Sequence, residues 1–154
     1  MVEIKWIENA EIDKVSDEEL AQIERQLGVK LPSNFIAFCE RYDAPQEYVL
    51  IDDVNGDTYE LSGFYTLKMI AEEVNDIYTQ DEDLKDIDGI VVPFAFDSVI
   101  SQYFFFYKRD NLEEPAGIFF RNTDDSFNEA LDENRYISKT FQELLEKLYI
   151  GEDI

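Results

Sequence analysis

Hydrophobic positions along this chain switch between a helical and a strand period, and the switches outline its elements. Leu20, Ile23 and Leu27 fall on one face of a helix. Ser16-Asp-Glu-Glu19 reads as a capping box ahead of them, Ser16 capping the first turn and Glu19 reaching back. Gly28 stands where a left-handed C-cap belongs, and Leu31-Pro32 restarts the chain, proline being tolerated in a first helical turn. Phe35, Phe38, Cys39 and Tyr42 give a second apolar face, so the spacing predicts an N-terminal helical hairpin. Before it, Val2, Ile4 and Trp6 alternate with Glu3 and Lys5 in a short strand-like segment.

The strand period dominates the middle of the chain. Tyr48 to Ile51 and Thr58 to Leu61 read as strands with Asn55-Gly56 as the turn between them. Leu67, Ile70, Val74 and Ile77 mark a third helix, and Asp81 to Asp88 an acidic loop. Ile90 to Phe96, Gln102 to Tyr107 and Gly117 to Arg121 are rich in aromatic and branched residues and predict strands, with a turn at Asn111 to Pro115. Asn122 to Asn134 is acidic and irregular, with one helical turn near Phe127 and Leu131; Arg135 to Ile137 suits a short edge strand. Thr140 caps a last helix with Glu143 three residues on, and Phe141, Leu144, Leu145 and Leu148 form its buried face. Segregated helices and strands favour an α+β fold: a central, mainly antiparallel sheet with helices packed around it, an N-terminal helical hairpin and a C-terminal helix. No repeat, low-complexity stretch or linker interrupts residues 1–154, so one domain is expected.

Composition narrows the function. Thirteen Lys and Arg face 36 Asp and Glu, a formal net charge of -23. Such a surface repels nucleic acid and anionic lipid and attracts basic partners. The charge exceeds the magnitude of about 2–8 that solubility asks of a small domain. Aromatics at 14% separate the chain from disordered acidic tails. Cys39 is the only cysteine, which suits a reducing, cytoplasmic setting. Residues 1–15 interleave charged and apolar residues, so no signal peptide is expected, and no stretch reaches the roughly 20 apolar residues of a membrane helix. The absence of histidine removes Ser-His-Asp and Cys-His catalysis and His-ligated metal sites. A binding protein without enzymatic activity, metal or cofactor is the expectation.

Local motifs support that expectation. Asp53, Asn55 and Asp57 occupy the first, third and fifth places of a calcium loop, but Thr58 stands where glycine is needed and Phe64 where the closing glutamate belongs. A hairpin turn accounts for the Asn-Gly. The acidic clusters at residues 81–88 and 124–133 have two readings: solvated loops, or a face that mimics phosphate toward a basic partner. Tyr103 to Tyr107 is five aromatics in a row; strand alternation sends Tyr103, Phe105 and Tyr107 to one face and Phe104 and Phe106 to the other, a central strand covered on both sides. Cys39, on an apolar helix face, reads as an inert buried thiol.

Three stretches together resemble the SUKH superfamily, the group that contains the Smi/Knr-type cell-wall-assembly regulators. They are Ile23-Glu-Arg-Gln-Leu-Gly-Val-Lys-Leu-Pro-Ser-Asn-Phe35; Val91-Val-Pro-Phe-Ala-Phe-Asp97 followed by Tyr103-Phe-Phe105; and Ile137-Ser-Lys-Thr-Phe-Gln-Glu-Leu-Leu145. Their order and spacing cover roughly residues 16 to 149. Two departures stand out: Arg41-Tyr-Asp-Ala-Pro45 replaces a frequent Asn-Gly, and Ser98-Val-Ile-Ser101 replaces paired glycines. The resemblance implies an α+β domain that, in bacteria, is an immunity protein neutralising a cognate polymorphic toxin, frequently a nuclease. In fungi it implies a regulatory or scaffolding module. The leading expectation is therefore a partner toxin with a basic catalytic domain, bound through an acidic surface. Candidate contact residues are Tyr48, Asp52, Asp53, Asp57, Tyr59, Glu60, Asp97, Asp124 and Asp125, with aromatics such as Tyr48 or Tyr59 as anchors.

Overall fold

The computed structural model describes residues 3–8 and 15–151. Val2 of the expected N-terminal strand, and residues 1–2 and 9–14 of the stretch read as lacking a signal peptide, lie outside the described residues. In chain order the elements are β1 (Trp6–Glu8), α1 (Asp17–Leu27), α2 (Ser33–Arg41), β2 (Tyr42–Pro45), β3 (Val49–Asp52), β4 (Thr58–Leu61) and β5 (Gly63–Phe64). Then come α3 (Leu67–Gln80), a short 3-10 helix (Glu82–Asp86), β6 (Gly89–Phe96), β7 (Gln102–Lys108), β8 (Gly117–Arg121), α4 (Phe127–Asp132), β9 (Tyr136–Ser138), α5 (Phe141–Lys147) and β10 (Tyr149–Ile150). The fold is α+β. A five-stranded sheet in the order β5-β6-β7-β8-β9 is antiparallel throughout, and β10-β3-β4 and β1-β2 form smaller antiparallel sheets.

Local chemistry sets the helix ends. The Ser16 hydroxyl accepts from the Glu19 amide at 3.1 Å while Glu19 Oε1 accepts from the Ser16 amide at 3.3 Å, which completes the capping box. Gly28 closes α1 at φ 81, a left-handed conformation that favours glycine. Thr66, Ser126 and Thr140 cap α3, α4 and α5 in the same side-chain manner. The partners of α1 and α2 are α3 and α5 more than each other.

β7 lies at the centre of the large sheet, between β6 and β8. Its alternating aromatics turn toward two cores, all buried but Phe106, which is half-buried. Tyr103, Phe105 and Tyr107 join Val92, Phe94, Ile118 and Phe120 in the main core, covered by the helices and by Val49, Ile51 and Leu61 of the small sheet. Phe104 and Phe106 face a second, smaller core with Leu84, Val91, Phe119 and Phe127. Phe35 is the hub of the main core, edge-on to Phe94, Phe105 and Phe141 with ring centroids 5.2–5.3 Å apart. Phe94 and Phe105 stack at 4.1 Å. Pro93 is accommodated at a register shift in β6, where it need not donate to the ladder.

Two expectations are corrected. Tyr42 does not extend α2; it opens β2, whose pairing with β1 draws the chain out of the helix. Residues 81–88 do not form a loop without structure, because Leu84 and Ile87 are buried and fold the segment into a 3-10 turn against the second core. The acidic stretch after β8 carries α4 where a helical turn was expected, anchored by buried Phe127 and Ala130. The β3–β4 connection is a five-residue turn, Asp53 to Asp57, with Gly56 at φ 87. The Cys39 thiol is buried and pushed up to about 12, first by burial and then by the neighbouring Glu40 charge.

The β6–β7 turn is strained. Asp97 and Ser101 close a three-residue loop, with the Asp97 amide donating to the Ser101 carbonyl at 3.0 Å. Ile100 occupies its left-handed position at φ 67. Such loops place glycine or asparagine there, and a β-branched side chain costs about 1–2 kcal/mol.

Two stability predictions follow from this packing. Phe35→Ala should lose about 3–5 kcal/mol, since it empties a fully buried ring site; denaturant unfolding reads this directly. Ile100→Asn should instead gain about 1 kcal/mol by relieving the left-handed strain, since the side chain it removes is exposed. An unchanged or lower midpoint would show that the turn carries no such strain.

Candidate partner-binding face

Alternation along the small sheet separates a buried from an open face. Val49, Ile51 and Leu61 turn inward and are fully buried. Leu50 and Asp52 of β3 and Thr58 and Glu60 of β4 turn the other way, and β10 places Tyr149 opposite Leu50. Tyr48 precedes β3, and its carbonyl accepts from the Gly151 amide at 2.7 Å. A Cβ on Gly151 would lie 2.8 Å from the side chains of both Tyr48 and Leu50, so glycine lets the C-terminal segment close on them. Tyr48 and Tyr149 remain 41% and 40% exposed.

The carboxylates on this face are held in place. Asp52 Oδ1 accepts from the hydroxyls of Tyr149 and Thr58, each at 2.7 Å. Those bonds, the Tyr149 one foremost, hold the Asp52 carboxyl below its usual range. Glu60 Oε1 accepts from the Ser62 hydroxyl at 2.9 Å and the Ser98 amide at 3.0 Å. Partial burial pushes the Glu60 carboxyl up, but the bonds from Ser98 and Ser62 outweigh it and the net direction is down. Both groups are therefore anions at neutral pH.

The other candidate residues are distributed differently. Asp53 is buried and ties the turn together: Oδ1 accepts from the amides of Asn55 at 2.8 Å and Asp57 at 3.1 Å, and Oδ2 from the Tyr59 hydroxyl at 2.6 Å. Tyr59 turns inward and stacks on Phe120 at 3.9 Å. Burial first, and then the bond to Asp53, raise its hydroxyl far above the ordinary tyrosine value. Asp57 is exposed at the turn. That turn docks on the start of β9 and the residues just before it: the Val54 amide donates to the Tyr136 carbonyl at 3.0 Å and Asn55 Nδ2 to the Asn134 carbonyl at 3.1 Å. Asp97 Oδ1 accepts from the amides of Val99 at 3.0 Å and Ser101 at 2.8 Å, shaping the β6–β7 turn. Asp124 is exposed, whereas Asp125 pairs with Arg135 Nη2 at 3.2 Å.

The structure thus brings Tyr48, Asp52 and Glu60 together on one face and gives Asp53 and Tyr59 structural work. Sequence reasoning missed Leu50, which alternation from Ile51 could have supplied. It also missed Tyr149: β10 is two residues long, too short for a periodic signal. Among the described residues no group of three or more His, Cys, Asp or Glu side chains is arranged to hold a metal ion.

The Asp52 carboxyl offers a direct check on this geometry. In Tyr149→Phe its titration, followed by carboxyl NMR, should move up toward the ordinary aspartate value. The folded-state value is depressed, so the associated stability is present above the unfolded-state titration and lost as pH falls through the folded one; the variant should narrow that acid limb. An unmoved titration would mean the hydroxyl is not bonded to Asp52.

A family model described as SMI1 / KNR4 family (SUKH-1) matches residues 14–147. No curated protein and no solved structure matches the chain. Among the described residues, no helix is long and apolar enough to cross a membrane. The matched segment holds the α1–α2 connection, β6 with β7, and α5, the three places where the sequence carries its resemblance. With most of its length matched, this chain belongs to the SMI1 / KNR4 family (SUKH-1) and is a SUKH-type immunity or regulator domain.

Proposed function

We propose that this protein is an immunity protein, which binds and neutralises a cognate toxin with a basic, nuclease-like catalytic cleft inside the cell that makes the toxin. The observation that carries the reading is the open face of β10-β3-β4, where Tyr48, Leu50 and Tyr149 lie beside the ionised Asp52 and Glu60 in a chain of net charge -23. Tyrosines give large rigid contact area at low entropic cost and are enriched among residues that dominate interface energies. Carboxylates fixed by their own hydrogen bonds meet Lys and Arg without further ordering. The surplus negative charge speeds encounter with a cationic partner and repels nucleic acid. Neutralisation follows from occlusion: a cleft that holds phosphates with cations accepts a preformed acidic face in their place.

The face is better suited to binding than to catalysis. A general acid needs a carboxyl whose titration is raised toward neutrality. Asp52 and Glu60 are displaced in the opposite direction. Family membership equally accommodates a regulatory or scaffolding module, which would use such a face on an endogenous complex.

Co-expression with a toxic polypeptide drawn from the genes neighbouring its own tests the reading. The protein should restore growth and bind the toxin domain in calorimetry, with affinity falling as salt rises. Tyr48→Ala with Tyr149→Ala should weaken binding by about 10- to 100-fold. Toxicity unrelieved by the wild-type protein, with recovery of a wall-synthesis or signalling complex instead, would favour the regulator.

A further inference from the structure

Val99 and Ile100, at the tip of the β6–β7 turn, are the most exposed large apolar side chains among the described residues, at 63% and 71%. Single exposed apolar residues need no explanation. Two adjacent ones at a hairpin tip, in a chain with 36 acidic residues, are a different matter. Ile100 also holds a left-handed conformation at φ 67 that glycine or asparagine would adopt without strain. Neither residue belongs to the two buried cores.

The turn is nevertheless rigidly held. Asp97 Oδ1 accepts from the Val99 and Ser101 amides, and the Ile100 amide donates to the Asp97 carbonyl at 3.3 Å. From outside the turn, Glu60 Oε1 accepts from the Ser98 amide, and the Ser101 hydroxyl accepts from the Thr123 amide at 3.0 Å. These bonds place two carboxylates at the turn, Asp97 within it and Glu60 beside Ser98. The result is a preorganised apolar point with an anionic border. Glu60 also lies on the open face of β10-β3-β4, so its carboxylate links the turn to that face.

We infer that the Val99–Ile100 tip is a second docking element, an apolar plug for a partner protein whose surface has an apolar recess bordered by Lys and Arg. Charge complementarity selects this occupant: the carboxylate border disfavours an anionic membrane or nucleic acid and favours cations around the recess. Preorganisation means that little ordering opposes binding. The inference rests on the protein-binding reading above, but not on the partner being a toxin.

The test uses the full chain, isotopically labelled, and two synthetic cationic peptides, one of lysine and leucine and one of lysine and serine. With the lysine–leucine peptide the largest amide shifts should fall on residues 98–101, followed by Glu60 and Thr123–Asp124. The lysine–serine peptide should leave Val99 and Ile100 nearly unmoved. Val99→Ser with Ile100→Asn should weaken lysine–leucine binding by about tenfold without lowering the unfolding midpoint, so lost binding cannot be lost folding. Three results would overturn the inference: no binding by the wild-type chain, shifts centred on residues 81–88 or 124–133 with the tip silent, or equal binding by the double variant. Because no toxin enters the experiment, failure here is distinct from failure of toxin neutralisation.

Discussion

The structure depends on covering both faces of β7. Five successive aromatic residues cannot leave either side of a strand in water, so Tyr103 to Tyr107 forces layers above and below the large sheet. On one side Phe35, Phe94, Phe105 and Phe141 lock α2, β6, β7 and α5 together through edge-to-face and stacked contacts. On the other, Phe104 and Phe127 recruit α4. The tyrosines add a second constraint, because a buried hydroxyl needs an acceptor. Tyr103 donates to the Glu60 carbonyl and Tyr107 to the Lys30 carbonyl, both at 2.6 Å. Those two bonds tie β4 and the α1–α2 connection to the central strand.

The same arrangement positions the candidate face. Val49, Ile51 and Leu61 must cap the main core, so the residues alternating with them are turned out to solvent. The outward side needs no apolar cover and carries Tyr48, Leu50, Asp52, Glu60 and Tyr149. Glu60 connects levels of the structure: its carbonyl accepts from buried Tyr103, while its carboxylate holds the Ser98 amide of the β6–β7 turn. A movement of β4 would therefore be felt both in the core and at the exposed tip.

The large negative charge is tolerated because its carriers are spread and partly used. Asp53, Asp97 and Asp52 accept amide or hydroxyl hydrogens within turns and between strands. Arg135 binds Glu133 and Asp125, at 2.7 and 3.2 Å. Arg121 lies over the Phe127 ring and donates to Gln102 Oε1, while Gln102 Nε2 donates to Glu73. Charge that elsewhere would only repel thus also shapes loops.

Elements with several periodic residues were legible in the sequence. The capping box at Ser16, the glycine C-cap at Gly28, the third helix and the aromatic strands are local, and each fixes its own backbone through short-range bonds or a repeated apolar face. So too were the α+β class and three of the residues on the open face, Tyr48, Asp52 and Glu60. Not legible were β2, β5 and β10, which have two to four residues and exist only because a distant strand pairs with them. Likewise, sequence alone did not separate Asp53 and Tyr59 from Asp52 and Glu60, since all four are polar residues of one hairpin. Burial against Phe120 and the direction of the pleat made that division. By itself the sequence determined which segments can be helix or strand and how much charge the surface carries. The tertiary structure decided which side chains share an open face, because that depends on what each strand must cover on its other side.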